Sequence, residues 1–128
     1  MSEIVTVLWR DPNSTFNSKE FQENRNRTGY GKVQYSSDGH LCFSNLEFTF
    51  DEWLISNKIE HHPHPKIPNS GRRADQLVNG YYIEIDGMGR NEEFWIEKYS
   101  GTDTNPLVIS HKELDEESLK KILIQLGV

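Results

Sequence analysis

The segment GRRADQLVNGYYIEIDGMGR, residues 71–90, sets three acids, Asp75, Glu84 and Asp86, among tyrosines and branched apolar side chains. Within it, Asn79-Gly80 is a strong signal for a two-residue hairpin turn, because both central positions of such a turn take positive φ. With that turn, the cross-strand pairs are Val78–Tyr81, Leu77–Tyr82, Gln76–Ile83, Asp75–Glu84, Ala74–Ile85 and Arg73–Asp86. Asp75 and Glu84 then face each other with Cβ atoms about 5 Å apart, where like charges repel. Alternation sends Ala74, Val78, Tyr81, Ile83 and Ile85 to the opposite, apolar face. A solvated acidic face with Arg73 against Asp86 is one explanation. A bound divalent cation is the sharper one. Hard ions such as Mg²⁺ take oxygen ligands, often one or two carboxylates together with substrate phosphates. Asp75, Glu84 and Asp86 are the candidate metal ligands on this reading, with a further acid supplied from a neighbouring helix.

Other side chains carry weaker signals. His61, His62 and His64 lie in the Pro-rich stretch EHHPHPKIPNSG. They suit a surface beside a nucleic acid or a protein partner, where a histidine can also serve as general base or leaving-group acid. Together with His40 and Cys42 they offer zinc-type donors, but at no recognised ligand spacing. Arg72 and Arg73 are candidates for phosphate contacts. Trp9, Trp53 and Trp95 read as core anchors, and the adjacency of Phe94 and Trp95 turns one of the two outward.

Local signals place these residues on elements. EIVTVLW, from Glu3 to Trp9, alternates and is β-branched, as a strand requires. The polar stretch that follows, RDPNSTFNSKEFQENRNRTGYG, reads as a connector with a short helix around SKEFQEN. KVQYSSDGHLCFS reads as a hairpin turning at Ser37-Asp38-Gly39. Ser44 and Glu47 form a capping box, and Leu46, Phe50, Trp53 and Leu54 follow at helical spacing, so a helix is expected from Asn45 to Ser56. RNEEFWIEKYSG reads as a helix closed by Gly101, and NPLVIS as a short strand. LDEESLKKILIQLG reads as a helix capped by Asp115, buried through Leu119, Ile122, Leu123 and Leu126, and stopped by Gly127. The order of elements points to an α/β (α+β) fold, a small mixed sheet with flanking helices.

Bulk properties narrow the classes. At 128 residues the chain suits one domain, and a domain of this size buries roughly two-thirds of its unfolded surface, enough for a core without staples. The reading is a single domain 1–128, with 1–40 an extension and 41–128 the core. The net charge of −6 argues against tight non-specific nucleic-acid binding. A single cysteine, Cys42, rules out an intrachain disulfide and fits a reducing cytosol. No apolar run approaches the ~20 residues of a membrane span, and the start lacks the pattern of a signal peptide. A cytoplasmic protein without membrane association is expected.

At this level a resemblance emerges. A helix glutamate, then Asp75, eight intervening residues and Glu84, within a helix–strand–strand–helix–strand order, resembles the core of the PD-(D/E)XK nuclease superfamily. RRADQLVNGYYIEIDGMGR is similar to its branch of very-short-patch-repair, phage and homing endonucleases, and CFSNLEFTFDEWLISNKIEHH resembles the segment that precedes it there. The similarity runs from Leu41 to Val128, and its motifs are short and degenerate. It implies a restriction-endonuclease-like core that hydrolyses DNA with Mg²⁺ or Mn²⁺. Asp75 and Glu84 would be the metal-binding acids and Glu47 the helix glutamate added to the site. Asp86 stands where the common motif has lysine, which leaves Lys98 as the substitute. Arg90 stands where the Asp-Gly branch has histidine. A homodimer or partner protein would supply DNA affinity that so acidic a chain lacks. The alternative is a non-catalytic member of the fold, or an acidic module that binds or inhibits a protein.

Overall fold

The computed structural model describes residues 5–8, 33–87, 89–110 and 114–128. The polar connector with its expected helix, and Trp9, lie outside the described residues. The described residues form a mixed α+β fold of two sheets and three helices. A small hairpin comes first, β1 (Gln34–Tyr35) with β2 (Leu41–Cys42), paired antiparallel. Its turn carries Gly39 at φ +85°, a backbone state that the absence of Cβ makes cheap.

Helix α1 (Asn45–Ser56) has the bounds expected of it. The Ser44 hydroxyl accepts from the Glu47 amide at 3.1 Å. The Glu47 carboxylate reaches back one residue beyond the cap, accepting from the Phe43 amide at 2.8 Å. Leu46, Phe50 and Leu54 are buried along one face, each contributing on the order of 1.5–3 kcal/mol through burial. The same turns also bury an acid, Asp51, one helical turn beyond Glu47.

The larger sheet has the order β3 (His62–Pro63), β4 (Gln76–Val78), β5 (Tyr81–Asp86), β6 (Pro106–Ser110). β3–β4 and β4–β5 are antiparallel, and β5–β6 is parallel. A parallel neighbour requires a crossover, and α2 (Glu92–Tyr99) supplies it. β6 is buried throughout, which is why PLVI is a continuous apolar run rather than an alternating one. Leu8 pairs in parallel with Leu107, with Leu8 N–H donating to the Pro106 carbonyl at 2.9 Å. α3 (Glu116–Leu126) starts at Asp115 and ends at left-handed Gly127.

The hairpin turn sits at Asn79-Gly80, and Gln76↔Ile83, Leu77↔Tyr82 and Val78↔Tyr81 pair as expected. Beyond them the regular ladder stops, and the expected Asp75–Glu84 pair does not form. The Asp75 amide donates to the Ile83 carbonyl at 3.0 Å, so Asp75 and Gln76 both address Ile83, the two-against-one geometry of a β-bulge. The bulge reverses the faces upstream of it. Ala74 does not pair with Ile85; its amide donates to the Pro65 carbonyl at 3.0 Å. Its side chain packs with Ile67, Tyr99 and Tyr82 rather than with Val78 and Ile83. Arg73 is not opposite Asp86 either: its backbone bridges Lys66, and its guanidinium donates to the His64 carbonyl at 2.7 Å.

Two apolar clusters cover the two faces. Phe50 and Leu54 of α1 and Leu119, Ile122 and Leu126 of α3 pack on Val78, Ile83 and Ile109. Tyr99 of α2, with Ile67, Ala74 and Val5, packs on the other side, against Tyr82. The acidic face of β5 is therefore not solvated. Glu84 and Asp86 are only 2% and 1% exposed. Among the described residues no helix is long and apolar enough to cross a membrane.

Candidate functional site

Two titratable sites emerge, one that includes Glu47 of α1 and one that includes Asp51 of the same helix. The first is an open cavity of about 270 Å³ lined by Glu47, Asp75, Glu84, Asp86, Arg90 and Lys98, with Phe43 and Trp95 as apolar walls. Each functional side chain arrives by its own route. The capping box holds Glu47 at the first turn of α1, and its Oε2 bonds the Phe43 amide while the side chain still faces the cavity. The bulge turns the Asp75 carboxylate inward, where Oδ2 accepts from the Ile85 amide at 2.6 Å. Strand alternation puts Glu84 and Asp86 on one side of β5. The last turn of α2 brings Lys98 to 2.6 Å from Glu84 Oε2, and the Tyr99 hydroxyl donates to the same oxygen at 2.7 Å.

The cavity is electrostatically tense. Burial, then the Asp75 charge, raise the Glu84 carboxyl to about 7 despite the opposing pull of Lys98 and Tyr99. Burial and Asp75 raise Glu47 to about 8, against the stabilising Phe43 amide. Asp75 is raised too, by burial, with the Ile85 amide and Lys98 working the other way. Burial and the neighbouring Glu84 push the Tyr99 phenol well above its ordinary value, so it is a permanent donor. Three acids that resist ionisation beside one ammonium form a site that favours added positive charge.

The candidates named from the sequence divide accordingly. Glu47, Asp75, Glu84, Asp86, Arg90 and Lys98 share the cavity. The Arg90 guanidinium lies 4.2 Å from the centre of the half-buried Phe94 ring, and its amide donates to Asp86 Oδ1 at 3.3 Å. Trp95 is the buried member of the aromatic pair. Arg72 and Arg73 are exposed and line no part of the cavity. His62 is exposed, 3.5 Å from Glu60, and His64 Nε2 lies 2.8 Å from the Leu41 carbonyl, to which it donates. His61 is turned inward, its side chain 7% exposed. Tyr99 was not anticipated. Its position next to Lys98, in the last turn of a helix crossing over β5, is the signal that could have found it.

The second site is a group of Asp38, His40, Asp51 and His61 whose ligand atoms all lie within 4.8 Å of one another. This group could hold a metal ion. It contains two of the histidines considered for zinc but not His62, His64 or Cys42. Cys42 is buried and its thiol is pushed up to about 12 by burial and by the Asp51 and Glu47 charges, which makes it a poor thiolate donor. Among the described residues, this is the one group of three or more such side chains drawn that close. A larger cleft, about 530 Å³ between the end of α1 and the Asn79-Gly80 turn, has Lys58, Glu60 and His62 on its walls but no convergent acids.

Comparison of the chain with protein-family models, with curated proteins and with solved structures gives no match.

Proposed function

We propose that the protein is a metal-dependent phosphodiesterase of endonuclease type, acting on DNA, with its reaction centre in the Glu47–Asp75–Glu84–Lys98 cavity. The observation that carries this reading is the crowding there of the buried Glu84 with the half-buried Glu47 and Asp75, all three raised in pKa, against a single lysine. The donor set is made of carboxylate oxygens, the chemistry a hard divalent ion such as Mg²⁺ or Mn²⁺ takes. Asp75 and Glu84 would hold it, and Asp86 lines the same wall. When bound, such an ion polarises a phosphodiester and lowers the pKa of a water on it. Lys98 sets its ammonium beside the acids, where it can stabilise charge developing on phosphate oxygens. Arg90, stacked on Phe94 at the rim, offers a second cation for substrate phosphates. Glu47, fixed by the Phe43 amide, orients the acid cluster from the helix side. The choice of DNA rests on the resemblance of residues 41–128 to the endonuclease branch.

The test is incubation of the full chain with supercoiled plasmid and with single- and double-stranded oligonucleotides, in Mg²⁺ or Mn²⁺. Cleavage that needs the metal and falls by about 10²-fold or more in Lys98→Ala and in Asp75→Asn supports the reading. No cleavage of any form, together with calorimetry showing no metal binding that Asp75→Asn and Glu84→Gln abolish, rejects it. One observation favours a second reading. Glu84 Oε2 is already engaged by both Lys98 and Tyr99, as expected of a non-catalytic member of the fold whose acidic surface, at net charge −6, binds a protein instead.

A further inference from the structure

We propose that Asp38, His40, Asp51 and His61 form a zinc site, distinct from the proposed reaction centre, that fastens the β1–β2 hairpin to α1 and to the segment after it. The ligand atoms are Asp38 Oδ2, His40 Nδ1, Asp51 Oδ1 and His61 Nε2. Each imidazole nitrogen lies close to both carboxylate oxygens: His61 Nε2 at 2.8 and 3.0 Å, and His40 Nδ1 at 3.0 and 3.2 Å, from Asp38 and Asp51 respectively. Tetrahedral zinc with bonds of about 2.0–2.1 Å sets its ligands roughly 3.3 Å apart; the four imidazole–carboxylate pairs are already near that spacing, and the other two pairs lie within 4.8 Å.

Hydrogen bonding alone would give similar distances, so the outer contacts decide. His61 Nδ1 lies 2.7 Å from the Ile59 carbonyl, an acceptor, so Nδ1 carries a proton. Nε2, on the other side of the ring, faces two carboxylate oxygens, and either a ring proton or a metal cation has to sit between them. A ring nitrogen on a metal with the other donating to a backbone carbonyl is the usual way a metal-binding histidine is oriented. Asp51 is fully buried, and Gln76 Nε2 donates to its Oδ1 at 2.8 Å. Its Oδ2 finds no hydrogen-bond donor. On the far side, Ser36 Oγ donates to Asp38 Oδ1. The orphan Asp51 Oδ2 is not the oxygen facing the imidazoles, but it belongs to a wholly buried carboxylate, whose charge a cation at Oδ1 would offset. The mixed imidazole and carboxylate set suits zinc better than a hard ion that prefers oxygen alone.

The placement also gives the site a task. β1 and β2 are two residues each, and a short two-stranded hairpin is marginal by itself. The four ligands come from its turn, from the middle of α1 and from the loop leading into β3. The hairpin leads directly to Phe43, whose amide holds Glu47 in the cavity. Zinc here is structural, and neither Asp75 nor Glu84 contributes to it.

The experiment is metal analysis and Zn²⁺ titration of the full-length protein, with Co²⁺ as a spectroscopic probe. The expected result is one Zn²⁺ per chain, a rise in Tm of several degrees at saturating Zn²⁺, and the intense visible absorption of four-coordinate Co²⁺. His61→Ala and Asp51→Asn should weaken Zn²⁺ binding by about tenfold or more, whereas Asp75→Asn should leave it unchanged. If either variant fails to fold, the Co²⁺ spectrum of the wild type stands on its own. Wild type that binds no Zn²⁺, shows no Tm shift and gives only the pale octahedral Co²⁺ spectrum overturns the proposal. So does Zn²⁺ binding that survives in folded His61→Ala. Loss of nuclease activity in Asp75→Asn with intact Zn²⁺ binding separates this site from the proposed reaction centre.

Discussion

Replacing Glu84 by glutamine measures how strongly the cavity resists negative charge. The Glu84 carboxyl is 2% exposed, and burial and Asp75 raise it from 4.5 to about 7. The folded state therefore holds this proton more tightly than the unfolded chain does. Stability linked to it is complete below about pH 4.5, declines as pH rises, and is lost once pH passes the folded value near 7. At about 1.4 kcal/mol per unit, the decline from Glu84 alone amounts to roughly 3 kcal/mol by neutral pH. Glu47 and Asp75 shift in the same direction and steepen the slope. Glutamine mimics the protonated acid and can still accept from Tyr99, but it cannot lose a proton. In chelator, urea unfolding from about pH 5 to 8.5 should show wild type losing stability and Glu84→Gln losing less. The variant should be more stable at the alkaline end by on the order of 1–3 kcal/mol. A variant less stable than wild type near pH 8 would mean that the Lys98 pair outweighs burial, and the charge-crowding argument would be wrong.

Lys98→Met should have the opposite pH signature. It removes the ammonium 2.6 Å from a buried carboxylate, so little change is expected near pH 5 and a loss of about 3 kcal/mol near pH 8, read by the same urea series. Leu54→Ala, at a fully buried position between α1 and the sheet, should lower stability by about 2–5 kcal/mol without moving Zn²⁺ or Mg²⁺ affinity. Asn79→Ala should cost about 1–3 kcal/mol by chemical denaturation, because Asn79 sits at φ +47° and its amide donates to the Leu126 carbonyl at 2.6 Å. Asn79→Gly keeps the turn and should lose only the hydrogen-bond part.

Much of the architecture follows from rules acting within a few residues. Ser44 and Glu47 mark the start of α1 because a hydroxyl and a carboxylate can satisfy orphan amides there. Asp115 and Gly127 bound α3 for related reasons, and Asn79-Gly80 dictates the hairpin and three of its pairs. The gathering of Glu84, Glu47 and Lys98 follows from those elements once the helices lie over the sheet. Alternation along β5 also separates Ile83 from Glu84, a property of any strand.

Other features depend on contacts between distant residues, which no local pattern encodes. The bulge at Asp75 arises where the strand meets the 64–67 segment, and it moves Ala74 to the other face and Arg73 away from Asp86. Strand periodicity cannot signal it, since one extra residue reverses every face upstream. The acids of β5 were legible as a stripe, but only the packing of α2 decided that the stripe is buried and held by Lys98 and Tyr99. No local signal sets Asp51 apart from the other acids of α1. Its meeting with Asp38, His40 and His61 is settled by the angle at which the hairpin docks on α1, a matter of three-dimensional packing. The sequence by itself determined the two hairpins, the three helices with the caps of α1 and α3, the strand β6 and the acidic stripe. The tertiary structure decided which charges leave water and which become neighbours, because burial and long-range proximity arise only when the elements pack.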